Sequence, residues 1–171
     1  LSFLEGKFNN DHPFANINTQ PGPIPENPPK VWILGSSAFS AQLAALLGLP
    51  YSYADFFGTT GAHGPIIADI YRDNFKPSKY LREPKFNVAV QVLCANTAEE
   101  AEFIASSRNL NKVSDQLNLR NGLLPPEQAS VYEIPIAAQK YIDTLKSSYL
   151  DGDPSYVRER ILDIGKKYDT Q

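Results

Sequence analysis

The sequence predicts an α/β chain built on a parallel sheet, and three observations carry that expectation. From residue 31 onward, short apolar runs of strand length alternate with longer stretches of helical spacing. Turn and capping residues close each run, namely Gly35-Ser36-Ser37, then Gly58-Thr59-Thr60-Gly61, then Asn96-Thr97. The composition is ordinary for a globular chain, with 42% hydrophobic and 20% charged residues among 171. That supplies enough apolar surface to offset the entropy of ordering roughly one domain. Strand–helix alternation of this kind implies crossover connections and parallel strands.

Element by element, residues 1–29 form a proline-rich segment ahead of the domain at 30–171. Six prolines fall in it or at its edge, Pro13, Pro21, Pro23, Pro25, Pro28 and Pro29. Proline lacks a backbone donor and restrains the residue before it, so extended loop is expected, lying over a domain surface through Phe3, Leu4, Phe8, Phe14 and Ile17. Residues 1–8 read as the tail of a helix. Val31-Trp32-Ile33-Leu34 is a short buried strand. Residues 38–47 follow as a helix rich in Ala and Leu, capped by Ser36 or Ser37 and stopped by Gly48 and Pro50. Residues 51–57 read as a second strand and 62–75 as a second helix. Residues 86–95 give the strongest strand signal. Thr97 caps the next helix, with Glu99 and Glu100 suited to its dipole. Residues 118–135 read as loop and 136–149 as helix. Asp153-Pro154 then opens a last helix through Tyr168.

Composition also narrows function. Sixteen basic against nineteen acidic residues give a net charge of −3, with no basic excess to recruit nucleic acid. One cysteine and two histidines argue against a disulfide framework and a metal site. No apolar run approaches the ~20 residues of a membrane span, and no basic-then-apolar leader opens the chain. A cytoplasmic protein is expected. The chain begins at Leu1 and has no methionine, as a processed chain or a piece of a longer protein would.

The informative stretch is Leu34-Gly35-Ser36-Ser37-Ala38-Phe39-Ser40 at a strand-to-helix turn. Glycine permits close backbone approach, the helix start leaves amides without intrahelical partners, and hydroxyls cluster there. Together these suit an anion, most naturally phosphate. A plain serine cap with a structural glycine accounts for the same residues without a ligand. Other candidates carry less. His12 and His63 read as loop histidines. Asp55 ends a strand, where barrel enzymes place functional groups or where a turn is capped. Cys94 reads as a small buried hydrophobe. Arg72, Lys76, Lys79 and Arg82 read as a solvated basic face. No Ser–His–Asp order, P-loop or dinucleotide fingerprint is present.

Val31-Trp32-Ile33-Leu34-Gly35-Ser36-Ser37, Ser40-Ala41-Gln42-Leu43-Ala44-Ala45 and Gly48-Leu49-Pro50 resemble the bacterial luciferase-like, flavin-dependent monooxygenases. Tyr71-Arg72-Asp73-Asn74-Phe75-Lys76-Pro77-Ser78, Ala95-Asn96-Thr97-Ala98-Glu99-Glu100-Ala101 and Gly152-Asp153-Pro154 extend the likeness, in order, over residues 31–168. The resemblance implies part of a (β/α)8 TIM barrel, about the fifth to seventh strand–helix units, with the eighth strand beyond Gln171. It also implies ligands at the C-terminal strand ends.

By the same resemblance, Gly35, Ser36, Ser37 and Ser40 bind the phosphate of FMN, and Asp55 neighbours the flavin ring. Luciferase itself has an acidic residue where Ser36 stands, which places this chain in the wider oxidoreductase branch. The implied activity is a monooxygenase using reduced FMN and O2 on a small organic substrate, with a separate flavin reductase and a homo-oligomeric full-length form. Alternatives are an oxidoreductase using the deazaflavin F420 on the same scaffold, or a non-catalytic flavin-binding partial barrel. Catalytic residues are expected in the preceding half, and none is assigned here. The prolines and Asn121-Gly122 in residues 108–135 lead to the expectation of a mobile lid.

Overall fold

A computed structural model describes residues 2–5, 7–17, 29–57, 62–119 and 122–170. Its contacts divide the chain into two units, residues 1–32 and 33–171. In the first, α1 (Ser2–Glu5) is a single helical turn. The rings of Phe3, Phe8, His12 and Phe14 gather on one another with centroids 4.7–6.5 Å apart. Residues 18–28, which hold four of the prolines, and the loop at 58–61 lie outside the described residues.

The second unit follows the alternation that the sequence predicts. Its elements are β1 (Ile33–Gly35), α2 (Ala38–Leu47), β2 (Tyr51–Asp55), α3 (Gly64–Asp73), β3 (Phe86–Val90), β4 (Val92–Cys94), α4 (Ala98–Lys112), α5 (Pro126–Ala129), α6 (Ile136–Ser148), β5 (Leu150–Gly152) and α7 (Pro154–Lys167). β1, β2 and β3 form a parallel sheet in that order, with Ile33 opposite Tyr51, Gly35 opposite Tyr53, and Asp55 opposite Val90. Because side chains alternate along a strand, Ile33, Tyr51, Tyr53, Phe86 and Val88 share one face. That face meets the helices. Tyr51 and Tyr53 are buried in one cluster with Ala41, Ala44 and Ala45 of α2, Ile67, Ala68 and Tyr71 of α3, and Tyr168. Alanine at three buried positions lets α2 lie close to the sheet. The opposite face carries Leu34, Ser52, Ala54, Asn87 and Ala89, and Leu34 is 57% exposed.

The long strand expected over 86–95 is interrupted at Gln91. β3 pairs with β2, whereas β4 pairs with β5 in a separate two-stranded parallel sheet. Gln91 contributes to this change of partner, since its carbonyl accepts from the Leu150 amide. Leu150–Gly152 was not legible as a strand, because three residues beside Gly152 and Pro154 are too few to show a period. Cys94 is exposed rather than buried, a consequence of its place at the end of short β4.

The segment expected as a lid, 108–135, is partly helical and partly packed among its described residues. Arg108 to Lys112 belong to α4, and Val113 and Ala129 are buried with Leu110, Ala138 and Ile142 in a second cluster. Leu117, Leu119, Leu124 and Ile134 pack against it, which anchors the described part of the segment to α4 and α6. Arg108 pairs with Asp151 of β5, with its side chain 17% exposed and that of Asp151 14% exposed. Its guanidinium also lies 4.1 Å from the Tyr149 ring centroid. Arg72 leaves the solvated face expected of it. It donates to the carbonyls of Tyr168 (2.6 Å) and Asp169 (3.1 Å), closing the C-terminus of α7.

Candidate functional site

β1 delivers the chain to the start of α2, and the residues between them form a closed local network. Ser37 is the N-cap in extended backbone, and its Oγ accepts from the Ser40 amide at 3.3 Å. Ser40 Oγ accepts from the Ser37 amide at 3.3 Å and donates to the Ser37 carbonyl at 2.8 Å. This reciprocal capping box satisfies two backbone donors at the helix start. The amides of Ala38 and Phe39 and the hydroxyl of Ser36 make no hydrogen bond among the described residues. The first turn of α2 carries no acidic side chain. The helix start therefore presents donors and the positive end of a dipole with nothing local to neutralise it.

Gly35 makes the arrangement possible. A Cβ at this position would sit 2.3 Å from Ser40 Oγ and 2.5 Å from Ser40 Cβ. Any other residue would push Ser40 off the strand end. Tyr51 fixes the same corner from below: its hydroxyl donates to the Gly35 carbonyl at 2.8 Å and lies 3.0 Å from Ser40 Oγ. Burial pushes the Tyr51 phenol above its usual range, against a smaller opposing effect from Ser40. It stays protonated and keeps its proton for Gly35. No local pattern marks this role for Tyr51, since a strand aromatic is ordinarily a packing residue.

Gly35, Ser36, Ser37 and Ser40 are thus brought together by one turn. Their shared property is not four converging side chains. Ser37 and Ser40 are occupied as the cap, while Ser36 and two amides remain to meet a ligand. An anion such as a phosphate fits that donor set, with Gly35 supplying the space.

Asp55 belongs to a different constellation. It shares the helix face with Tyr51 and Tyr53, and its Oδ2 accepts from the Tyr168 hydroxyl at 2.7 Å. Burial, and then the hydrogen bond to Asp55, push the Tyr168 phenol far above its usual range. This phenol is a permanent donor. Gly64 leaves room for it, because a Cβ there would fall 1.8 Å from Tyr168 Oη. Asp55 is therefore tied into the helix layer and fixes the end of β2, immediately before Phe56 and Phe57.

Arg72 joins the second group through the Tyr168 carbonyl. His63 precedes α3 without a side-chain cap bond, and His12 is exposed among the rings of the first unit. No group of three His, Cys, Asp or Glu able to hold a metal occurs among the described residues. No helix among them is long and apolar enough to cross a membrane.

A feature that sequence reasoning missed lies at the C-terminal ends of β2 and β3. A shallow pocket of about 400 Å³ is lined by Phe56, Phe57, Val90, Gln91 and Lys112. The two phenylalanine rings lie 4.7 Å apart at 46°. The adjacent Phe56-Phe57 pair was the available signal, but it reads equally well as the end of a strand.

No family model matches the sequence. The chain is 34% identical over 140 residues to a luciferase-like monooxygenase of Escherichia coli K12, covering 81% of this chain and 41% of that protein. The crystal structure of apo-MsnO8 superposes with a TM-score of 0.73 and 26% identity, over 92% of this chain and 48% of the other. The oxygenating constituent of 3,6-diketocamphane monooxygenase from Pseudomonas putida, a type II Baeyer–Villiger monooxygenase solved in complex with FMN, shares the fold. Its TM-score is 0.52 at 16% identity, over 87% of this chain and 42% of the other. The chain spans half or less of the length of the curated relatives it matches.

Proposed function

We infer that this chain, a member of the luciferase-like monooxygenases by sequence and fold, is the cofactor-phosphate half of an enzyme that oxygenates a small organic molecule with reduced FMN and O2. The observation that carries this reading is the β1–α2 turn. Gly35 clears the space, Ser37 and Ser40 hold the helix start, and Ser36 with the Ala38 and Phe39 amides is left to receive a dianionic phosphate. Charge-assisted hydrogen bonds from several fixed donors bind a phosphate strongly without requiring a lysine or arginine. The Pseudomonas protein of the same fold holds FMN, which supports a flavin in this scaffold.

Bound reduced flavin supplies the oxygen chemistry, and the protein's part is to hold, orient and exclude water. In this chain, the capping box keeps the α2 amides pointed at the phosphate. Tyr51 locks Gly35 and Ser40 to one another, so the strand end and helix start do not drift apart. Asp55 and Tyr168 hold the neighbouring strand end in register with it. Reduced flavin is supplied in this reading by a separate flavin reductase.

The full-length protein should be titrated with reduced FMN and with reduced F420, and oxygen uptake followed with each. Tight binding of FMN together with FMN-dependent oxygen uptake is expected. Binding of F420 with no binding of FMN would overturn the cofactor assignment. Flavin binding without any oxygen uptake would point to a flavin-binding protein rather than an enzyme.

A further inference from the structure

We infer that the outward face of α2, formed by Phe39, Leu43, Leu46 and Leu47, docks on the same face of a second copy of this chain. The two helices run antiparallel about a two-fold axis at Leu43. The interface stands independently of the flavin reading.

Spacing sets the face. Positions 39, 43, 46 and 47 fall at i, i+4, i+7 and i+8, one stripe along a helix. The buried residues of α2 are Ala41, Ala44 and Ala45. At ~100° per residue, the stripe is centred on the side opposite to them. The alanines share a cluster with Tyr51 and Tyr53 of the sheet, so the stripe points directly away from the sheet. A neighbouring helix of the same layer lies beside α2 and reaches its flanks, not this crest. The crest is apolar all the same. Phe39 is 73% exposed and Leu46 56%, with Leu43 and Leu47 at 38% and 44%.

Charge separates α2 from its neighbours. α3 turns Asp69 and Asp73 to solvent, α6 Lys140 and Asp143, and α7 Arg158 and Glu159, as outward helix faces do. α2 contains no charged residue, and Gln42 is its one exposed polar side chain. Four side chains of these sizes and exposures present roughly 300–500 Å² of apolar surface, the scale at which a patch marks an interaction site. A standard interface buries ~800 Å² per partner. The stripe supplies the apolar centre of such an interface, and polar residues around it supply the rim.

The order of the side chains selects the occupant. A bulky ring stands at the N-terminal end, a leucine pair at the C-terminal end, and Leu43 midway between positions 39 and 47. Antiparallel pairing sets the Phe39 ring of each copy on the Leu46–Leu47 pair of the other, and Leu43 on Leu43. That is the self-complementarity a two-fold interface requires. It also brings the positive end of each helix dipole beside the negative end of its partner, with no side-chain charge opposed. A parallel arrangement would set like ends together.

The test is sedimentation of the full-length protein across the micromolar range. Wild type should sediment as a dimer. Leu46→Glu places a carboxylate in each half of the interface and should weaken dimerisation at least about tenfold. Glutamate has nearly the helix propensity of leucine, so the far-UV circular dichroism of the variant should match wild type. A second variant tests the geometry. Leu43→Cys, in a Cys94→Ser background that removes the exposed native thiol, should join two copies when copper phenanthroline is the oxidant. Side chains that meet on a two-fold axis bring their Cα atoms within disulfide reach, whereas Asp69→Cys in the same background should not cross-link. A wild type that stays monomeric, a dimer unaffected by Leu46→Glu, or equal cross-linking at 43 and 69 would overturn the inference. A monomeric wild type that Leu46→Glu destabilises would mean that another segment of the same chain covers the stripe, which overturns it as well.

Discussion

Replacing Gly64 by alanine should disturb the molecule well beyond α3, and the size of the effect follows from the surroundings of Tyr168. The added Cβ would lie 1.8 Å from Tyr168 Oη, 2.4 Å from its Cζ and 2.5 Å from its Cε1. The ring has little freedom to retreat. It stacks on Phe86 with centroids 6.1 Å apart, packs against Tyr53 at 5.7 Å, and donates to Asp55 at 2.7 Å. Its own backbone carbonyl is held by Arg72. Overpacking costs ~1–3 kcal/mol, and losing a hydrogen bond to a carboxylate costs ~1.5–3 kcal/mol. The better helix propensity of alanine returns at most ~1 kcal/mol at this terminal position. The net destabilisation should be ~2–5 kcal/mol, read from the urea midpoint of the full-length protein. Tyr168→Phe removes the nearest atom, so the two substitutions should couple by more than ~0.5 kcal/mol in a double-mutant cycle. A Gly64→Ala protein within ~0.5 kcal/mol of wild type, or strict additivity with Tyr168→Phe, would refute the packing described for Tyr168.

Two further outcomes follow from buried groups. Truncating Arg108 to alanine strands Asp151 in a largely buried setting and should cost ~3–5 kcal/mol, with Arg108→Lys failing to restore the paired geometry; an unfolding midpoint equal to wild type would contradict this. Tyr51, Tyr71, Tyr149 and Tyr168 all have phenols raised above the usual value of 10.0, with burial the largest cause in each. The unfolded chain therefore ionises first. Their contribution is fully present below pH 10 and declines as pH rises beyond it. Thermal melts in which these groups contribute no slope between pH 7 and 9, followed by a steep fall above pH 10, are expected. Retention of the full melting temperature well above pH 10 would count against their burial.

Much of this architecture could be read from local chemistry. Ser37 and Gly48 bracket α2 as caps, and Thr97 and Asp153 accept the amides that open α4 and α7. Such signals depend on a few neighbouring residues, which is why they survive without tertiary knowledge. The break at Gln91 did not show, because Val88, Val90 and Val92 favour a strand whichever partner they pair with. Arg72 was misread for a related reason. Its partners are carbonyls 96 and 97 residues away, and no local pattern announces a backbone acceptor at that distance. At the candidate site, glycine and serines at a strand-to-helix turn were visible, but the division of labour among them was not. Whether a serine caps the helix or faces a ligand is decided by rotamers, and here by Tyr51 beneath them.

If the β1–α2 turn binds the phosphate of FMN, the protein must distinguish FMN from riboflavin, since the two differ only in that group. The measurement is the ratio of their dissociation constants for full-length wild-type protein and for the Ser36→Ala and Ser37→Ala/Ser40→Ala variants. Wild type should favour FMN strongly. Ser36→Ala should reduce that preference by ~1.5–3 kcal/mol, the scale of one hydrogen bond to a charged group. The double variant, which releases the cap, should reduce it by ~1–3 kcal/mol, with riboflavin affinity nearly unchanged in both. Equal binding of FMN and riboflavin by the wild-type protein, or an undiminished preference in both variants, would contradict the claim.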